Sequence, residues 1–477
     1  MGRRKNRHPK YSVLEITDLT IEGKAVAKIP SDDPERGDLI IFVEDTVPGD
    51  IVDVQVKKRK KNYRIGYPTH FHKYSEDRRE AFCAHFDLCG GCTRQMLPYN
   101  LQLKYKEKQI REQLERIGQI ELPEMLPILA SGQETFYRNK LEFTFTDRRW
   151  LLQEEADRRD EITSFNGLGF HIPGRFDKVL DVDKCYLQPD PSNAIRNAVK
   201  QFADEQGYEF FFLREGTGFL RNLIIRTGLT GELMVILVVF EDDREKITKI
   251  LDYLKEKFPE ISSLMYLVNP KKNDSIGDLT PVLYAGKDYI TEQMGDLKFK
   301  VGPKSFYQTN PQQAYELYKK VHEFADLSGN ELVYDLYTGT GTIAAFLASD
   351  AKKVVGIEYV EEAVQDARVN SEINGIENTV FYAGDMKDVF TESLFEKEGS
   401  PDVVVLDPPR AGMHKDVIKA LLKAAPEKIV YVSCNPATQA RDIQLLSSNY
   451  KSELVQPVDM FPQTHHTENI VLLRKML

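Results

Sequence analysis

The sequence predicts a multidomain α/β protein with a small N-terminal β-barrel, a central α/β region and a C-terminal parallel sheet covered by helices. Three observations predict it. Short strand-like runs crowd residues 11–70, separated by glycine and proline turns. A tight cysteine cluster, Cys83, Cys89 and Cys92, follows. From about Asp326 onward, apolar runs alternate with helical stretches. The chain has 477 residues, which at roughly 150 per domain suits about three domains.

Residues 1–10 form a basic arm with Arg3, Arg4, Lys5, Arg7 and Lys10. Strands follow at 12–16, 39–43 and 51–56, with turns marked by Gly23, Gly37 and Pro48-Gly49. Short strands this close in sequence suit a barrel over residues 11–70, which removes its own edges. Lys57, Lys58, Arg59, Lys60, Lys61 and Arg64 make a second basic cluster. The net charge of −10 argues against nucleic-acid binding for the chain as a whole. Two local clusters can still neutralise phosphates, or simply be a solvated tail and strand end.

No apolar run approaches the roughly 18 residues of a membrane span, and no apolar stretch follows Met1-Gly2-Arg3-Arg4-Lys5 as a secretory signal requires. We therefore expect a cytoplasmic protein with no membrane partner, acting as a monomer. Five cysteines in such a chain are not expected to form structural disulfides; they bind metal or do chemistry.

The central region is placed at 75–300. A helix at 101–117 has Leu103, Ile110, Leu114 and Ile117 on one face, ends at Gly118 and is free to pack on the C-terminal part. Strands are expected at 140–145, 223–226 and 233–240. Cys83-x5-Cys89-Gly90-Gly91-Cys92 and the distant Cys185 supply four thiolates, which suit zinc or an iron–sulfur cluster. Structural zinc favours paired C-x-x-C knuckles and only one is present, so a cluster is preferred. The spacing is not Cx3Cx2C, so radical chemistry is not indicated.

Residues 301–477 carry apolar runs at 332–334, 354–357, 403–406 and 429–432, separated by helices, as a parallel sheet covered on both faces requires. Runs at 453–455 and 469–473 add an antiparallel strand at the end of the sheet. Ligands bind beyond the carboxyl ends of such strands. There stand Asp335-Leu336-Tyr337-Thr338-Gly339-Thr340-Gly341, then Glu358, then Asp385. The glycines allow close backbone approach, and an acidic side chain at 358 can accept hydrogen bonds from ribose hydroxyls. With Glu358 so placed, the segment resembles the S-adenosylmethionine site of class I methyltransferases. That resemblance puts Tyr337 and Gly339 on the methionine side, Glu358 on the ribose and Asp385 near the adenine.

The fourth strand ends in Asp407-Pro408-Pro409-Arg410 and the fifth in Ser433-Cys434-Asn435-Pro436, while Glu468 opens the last run. A thiol after a buried strand is more often a packed core residue, and Asp-Pro-Pro also serves amino-group methyltransferases. Uracil C5, however, is a poor nucleophile that a thiolate adding at C6 activates. Cys434 suits that nucleophile, Glu468 the base that removes the C5 proton, and Asp407 a group that holds the uracil edge. His465-His466 are adjacent and expected to point apart, which favours a loop role over a metal site.

Ser305-Phe306-Tyr307-Gln308-Thr309-Asn310, the segment from Asp335 to Gly341, Leu406 to Gly412, Ser433-Cys434-Asn435-Pro436 and Phe461 to Glu468 resemble, in order, the RNA uracil-5 methyltransferase family. The barrel resembles the OB-like TRAM domain. The resemblance implies a Rossmann-like methyltransferase sheet and a methyl donor contacted by Gln308, Tyr337, Glu358 and Asp407. It also implies a 4Fe-4S cluster on Cys83, Cys89, Cys92 and Cys185. The implied partner is RNA, with 23S ribosomal RNA the main expectation, tRNA the alternative and an idle RNA-binding assembly factor the third. The target base is expected to flip out of its stack. Arg138 and Arg221 are candidate RNA contacts.

Overall fold

The structure, a computed structural model, describes residues 8–20, 22–30 and 37–476. The arm residues Arg3, Arg4, Lys5 and Arg7 lie outside the described residues. Strands β1 (Lys10–Leu19), β2 (Ala25–Ile29), β3 (Leu39–Val43), β4 (Ile51–Arg59) and β5 (Tyr63–Lys73) close into a barrel in the order β1-β2-β3-β5-β4. Alternation drives it: Val52, Val54 and Val56 of β4 point inward beside Ile16, Ala27 and Ile41. The second basic cluster occupies the exposed end of the β4–β5 hairpin.

A two-residue strand, β6 (Glu124–Met125), precedes the central sheet. That sheet contains β7 (Lys140–Thr146), β8 (Gly167–Ile172), β9 (Arg175–Asp181), β10 (Leu220–Thr227), β11 (Leu233–Val239), β12 (Ser263–Val268) and β13 (Val282–Gly286). Their order is β13-β12-β11-β10-β7-β8-β9. Only β11 and β12 pair in parallel. Helices Ser192–Glu205 and Arg244–Lys257 bury Ile195, Val199, Ile250 and Leu254 in the same core as the sheet. A hairpin follows, β14 (Ile290–Met294) with β15 (Leu297–Val301).

The C-terminal sheet contains β16 (Leu332–Leu336), β17 (Lys353–Glu358), β18 (Thr379–Ala383), β19 (Val403–Leu406), β20 (Lys428–Ser433), β21 (Tyr450–Val458) and β22 (Glu468–Lys475). With β6 the order is β18-β17-β16-β19-β20-β22-β21-β6. Strands β16 to β20 run parallel, and β22 inserts antiparallel between β20 and β21. The order reverses at β16, which places the crevice at its carboxyl end.

Segment 75–300 is shared between the two sheets. Strand β6 pairs with β21. Strand β15 pairs with β14 in a two-stranded sheet of their own, and Lys298 and Lys300 donate their N–H groups to Asn374 and Asn370 of the C-terminal part. Helix Tyr99–Arg116 packs Ile110 and Leu114 into the C-terminal core. Its buried face differs from the expected one: Ile117 is 41% exposed, whereas Gln102, Lys106 and Gln109 are buried. The loop between β21 and β22 crosses that face and bonds Gln102 and Lys106, while Gln109 donates to the carbonyls of Leu19 and Thr20 at the end of the barrel and accepts from Arg94.

Candidate functional site

The loop after β16 folds across the end of β17. The N–H groups of Tyr337 and Thr338 both donate to the Ile357 carbonyl, at 3.0 Å each. Gly339 follows at φ +55, with no atom within 4 Å of where a Cβ would stand, so its backbone is open to a ligand. Its N–H donates to Glu358 Oε2 at 3.1 Å, and Glu358 Oε1 accepts the Val360 N–H at 3.0 Å. A carboxylate has about four lone-pair sites, so Glu358 keeps acceptor capacity for hydroxyls. Beneath the loop, burial lifts the Asp335 carboxyl to about 7. Asp385, held below its usual value by Lys387, lies close enough for its charge to act on Tyr337. The Gln308 carbonyl accepts the Asn139 side-chain N–H at 3.2 Å, and the buried Tyr318 of the helix that follows feels the Asp407 charge. Five of the six residues expected at the cofactor, Tyr337, Gly339, Glu358, Asp385 and Asp407, therefore stand at the carboxyl ends of β16 to β19.

The next two strand ends are tied to each other. Asn435 caps helix Pro436–Leu446, accepting the Ala437 N–H at 3.2 Å. Its Nδ2 donates to the Arg410 carbonyl at 2.9 Å, and the Thr438 hydroxyl donates to the same carbonyl at 3.2 Å. In the β20–β22 pairing Ser433 stands opposite Asn469, so Cys434 lies alongside Glu468. Glu468 is 8% exposed. Burial raises both the Asp407 and Glu468 carboxyls, and the Asp407 charge raises Glu468 further. The Cys434 thiol is pushed up to about 11 by burial, then by Glu468 and Asp407; the Arg410 cation pulls the other way. One thiol and two carboxyls thus lie close enough for their charges to act on one another, at strand ends beside the Gly339–Glu358 crevice.

The other four cysteines ring a separate cavity of about 280 Å³, lined also by Phe82, Arg138 and Leu187. Burial pushes the Cys92 thiol up to about 12, and the neighbouring Cys89, Cys185 and Cys83 add to the rise. Gly91 donates its N–H to Cys89 Sγ at 3.3 Å. Gly90 sits at φ +70, where a Cβ would stand 2.3 Å from Pro173 Cγ. Among the described residues no three His, Cys, Asp or Glu side chains converge on a single ion-sized site. The four sulfurs line a volume instead.

A family model described as tRNA (uracil-5-)-methyltransferase matches residues 227–476, more than half the chain. The chain belongs to this family. A TRAM domain model matches residues 11–67, the barrel. A relative from Bacteroides thetaiotaomicron, described as an uncharacterized RNA methyltransferase, is 56% identical over 95% of this chain and 99% of its own. One from Porphyromonas gingivalis with the same description is 54% identical over 96% and 99%. The crystal structure of Pyrococcus abyssi tRNA (uracil-54, C5)-methyltransferase with S-adenosyl-L-homocysteine superposes with a TM-score of 0.73. It is 29% identical and covers 96% of this chain and 99% of that one. The protein is an S-adenosylmethionine-dependent RNA uracil-5 methyltransferase.

Within this family member, two sequence expectations fail. Arg221 is 1% exposed and stacks 4.2 Å over the Phe211 ring. Its guanidinium donates to the carbonyls of Asn269 at 2.7 Å, Lys271, and Asn273 at 3.0 Å, and to Asp274 at 2.9 Å. With its donors turned inward it pins a loop and does not face RNA. The His465 and His466 rings do not point apart; their centroids are 4.1 Å apart, and burial drives both imidazoles down to about 4. Arg138 is half-buried, over the Phe461 ring at 5.6 Å. Arg410, to which the sequence pattern assigns no role, also acts at the site; its place three residues after Asp407 is the signal that brings it there. No helix among the described residues is long and apolar enough to cross a membrane.

Proposed function

We propose that this enzyme methylates C5 of a uridine in tRNA through a covalent bond between Cys434 and uracil C6. The observation that carries the reading is the meeting of Cys434, Glu468 and Asp407 at adjacent strand ends beside the Gly339–Glu358 crevice. Bound S-adenosylmethionine supplies an electrophilic methyl group. Tyr337 and Gly339 hold its methionine end, Glu358 its ribose and Asp385 its adenine side, with Gln308 and Asp407 near the reacting end.

Asp407 hydrogen-bonds the uracil edge and sets its register. Arg410 favours the charged form of the Cys434 thiol. The thiolate forms a bond to C6, and the C5–C6 electron pair becomes nucleophilic at C5. After C5 has taken the methyl group, Glu468 removes its proton. That electron pair re-forms the double bond, the C6–S bond breaks and the thiolate returns.

Transfer RNA is preferred over 23S ribosomal RNA. The Pyrococcus abyssi enzyme acts on a tRNA uracil and is matched over 96% of this chain, so the barrel and cysteine region do not single out ribosomal RNA. Cys83, Cys89, Cys92 and Cys185 hold a 4Fe-4S cluster: four sulfurs around a cavity with an N–H directed at one of them suit a cubane better than one ion. The enzyme acts as a monomer in the cytoplasm.

Incubation with labelled S-adenosylmethionine and either a tRNA or a 23S rRNA transcript, followed by nucleoside mass spectrometry, tests the substrate. We expect 5-methyluridine in the tRNA. Its appearance only in the 23S transcript, or in neither, contradicts the proposal.

A further inference from the structure

Glu468 stands at one foot of a loop whose other foot is Val458, directly opposite it in the β21–β22 ladder. The path of the intervening residues therefore sets how Glu468 leaves the sheet. Their hold comes largely from outside the sheet. Lys106, on helix Tyr99–Arg116, binds Asp459 Oδ1 at 2.5 Å and the Phe461 carbonyl at 3.0 Å. Both charged side chains are 0% exposed.

Four residues earlier, Gln102 exchanges two bonds with Gln463, at 3.0 Å and 3.1 Å. The N–H groups of Thr93 and Arg94 converge on the Gln463 carbonyl at 2.8 Å and 3.1 Å. Gln463 is thereby held at φ +65, in the left-handed region that a residue with a Cβ rarely adopts. Arg94 itself is buried and donates to the Gln102 carbonyl at 3.3 Å and to Gln109 Oε1 at 3.0 Å.

A buried ion pair is a poor source of stability, because desolvation offsets most of the attraction. Here the balance is worse than usual, since Asp459 Oδ2 is buried and accepts no hydrogen bond among the described residues. What the pair supplies is direction: an ammonium bonded to a carboxylate and a carbonyl fixes the loop in one orientation. We infer that Lys106 is a positioning residue for the reaction, acting through Asp459 to aim Glu468 at the C5 proton. This rests on the reading of Glu468 as the base.

The step it controls is proton removal after methylation, so its loss leaves a mark that a packing defect does not. Lys106→Met strands a buried carboxylate and destabilises the fold; Lys106→Met with Asp459→Asn removes both charges and restores the melting temperature. With RNA carrying [5-3H]uridine, the double variant is expected to release tritium at least tenfold more slowly than wild type. It should also accumulate a denaturant-stable protein–RNA adduct on unsubstituted RNA, with the KM for S-adenosylmethionine unchanged.

Recovery of wild-type tritium release in the double variant overturns the inference, because the two charges then merely compensate each other. Slowing without adduct, or failure of the double variant to fold, overturns it equally. Wild-type protein on 5-fluorouridine RNA serves as the control for the underlying chemistry. Absence of an adduct there counts against the covalent mechanism and not against Lys106.

Discussion

Replacing Glu468 with Gln should split the reaction into a half that survives and a half that stalls. The substitution conserves shape at a site that is 8% exposed, so the β22 ladder stays in place. A positioned general base contributes about 10²–10⁴-fold, or roughly 3–5 kcal/mol of barrier. Resolution of the methylated adduct should slow by that factor. Formation of the adduct should not slow, because the Glu468 charge is the largest electrostatic influence raising the Cys434 thiol, and Gln removes it. The pH dependence separates the two halves as well. Burial raises the Glu468 carboxyl, and a base works only when deprotonated, so wild-type turnover climbs as pH rises through that group. In the Gln variant this limb disappears, while adduct formation still climbs with thiol ionisation. Single-turnover gels under denaturing conditions read adduct, and mass spectrometry reads product. Turnover within threefold of wild type, or no adduct at any pH, would refute the assignment of the base.

Arg410→Ala removes the cation that opposes the rise of the Cys434 thiol; each unit of further rise should slow adduct formation at pH 7.5 about tenfold, with recovery at higher pH, and a pH-independent loss would contradict this. Gly90→Ala puts a Cβ 2.3 Å from Pro173 Cγ at φ +70; the cysteine loop must shift, and anaerobically purified protein should fall below the about four irons per chain expected of wild type. Arg221→Ala leaves buried carbonyls and Asp274 without their donor, so denaturant titration should show a loss on the order of 3 kcal/mol, while RNA affinity measured below the transition stays unchanged.

The catalytic sheet was legible because strands buried on both faces must be apolar throughout, and 403–406 and 429–432 are. Their ends were legible for the complementary reason: the residues just after such a run stand at the crevice, as Asp407 does directly after one and Cys434 does one past Ser433. Strand β6 was not legible, since two residues carry no periodicity and its place is decided by β21, more than 300 residues on. Lys106 was hidden in a helix whose lysines and glutamates read as a solvated face; its burial depends on a loop that only the folded chain brings near. Arg221 misled for a related reason. The run Leu220-Arg221-Asn222 reads as a surface contact, yet the terminal N–H groups of the guanidinium are taken up by three loop carbonyls and Asp274 inside the protein. The barrel and the cysteines did not disclose which RNA is bound, since both lie within the span matched by a tRNA enzyme.

The covalent role of Cys434 is tested most directly with 5-fluorouridine-substituted tRNA and S-adenosylmethionine. Fluorine at C5 leaves no proton for Glu468 to remove, so the thiol stays bonded to the methylated base. Peptide mapping of the denaturant-stable complex should place the nucleotide on Cys434, and Cys434→Ala should form none. A complex that maps to another residue, or that persists in Cys434→Ala, contradicts the mechanism.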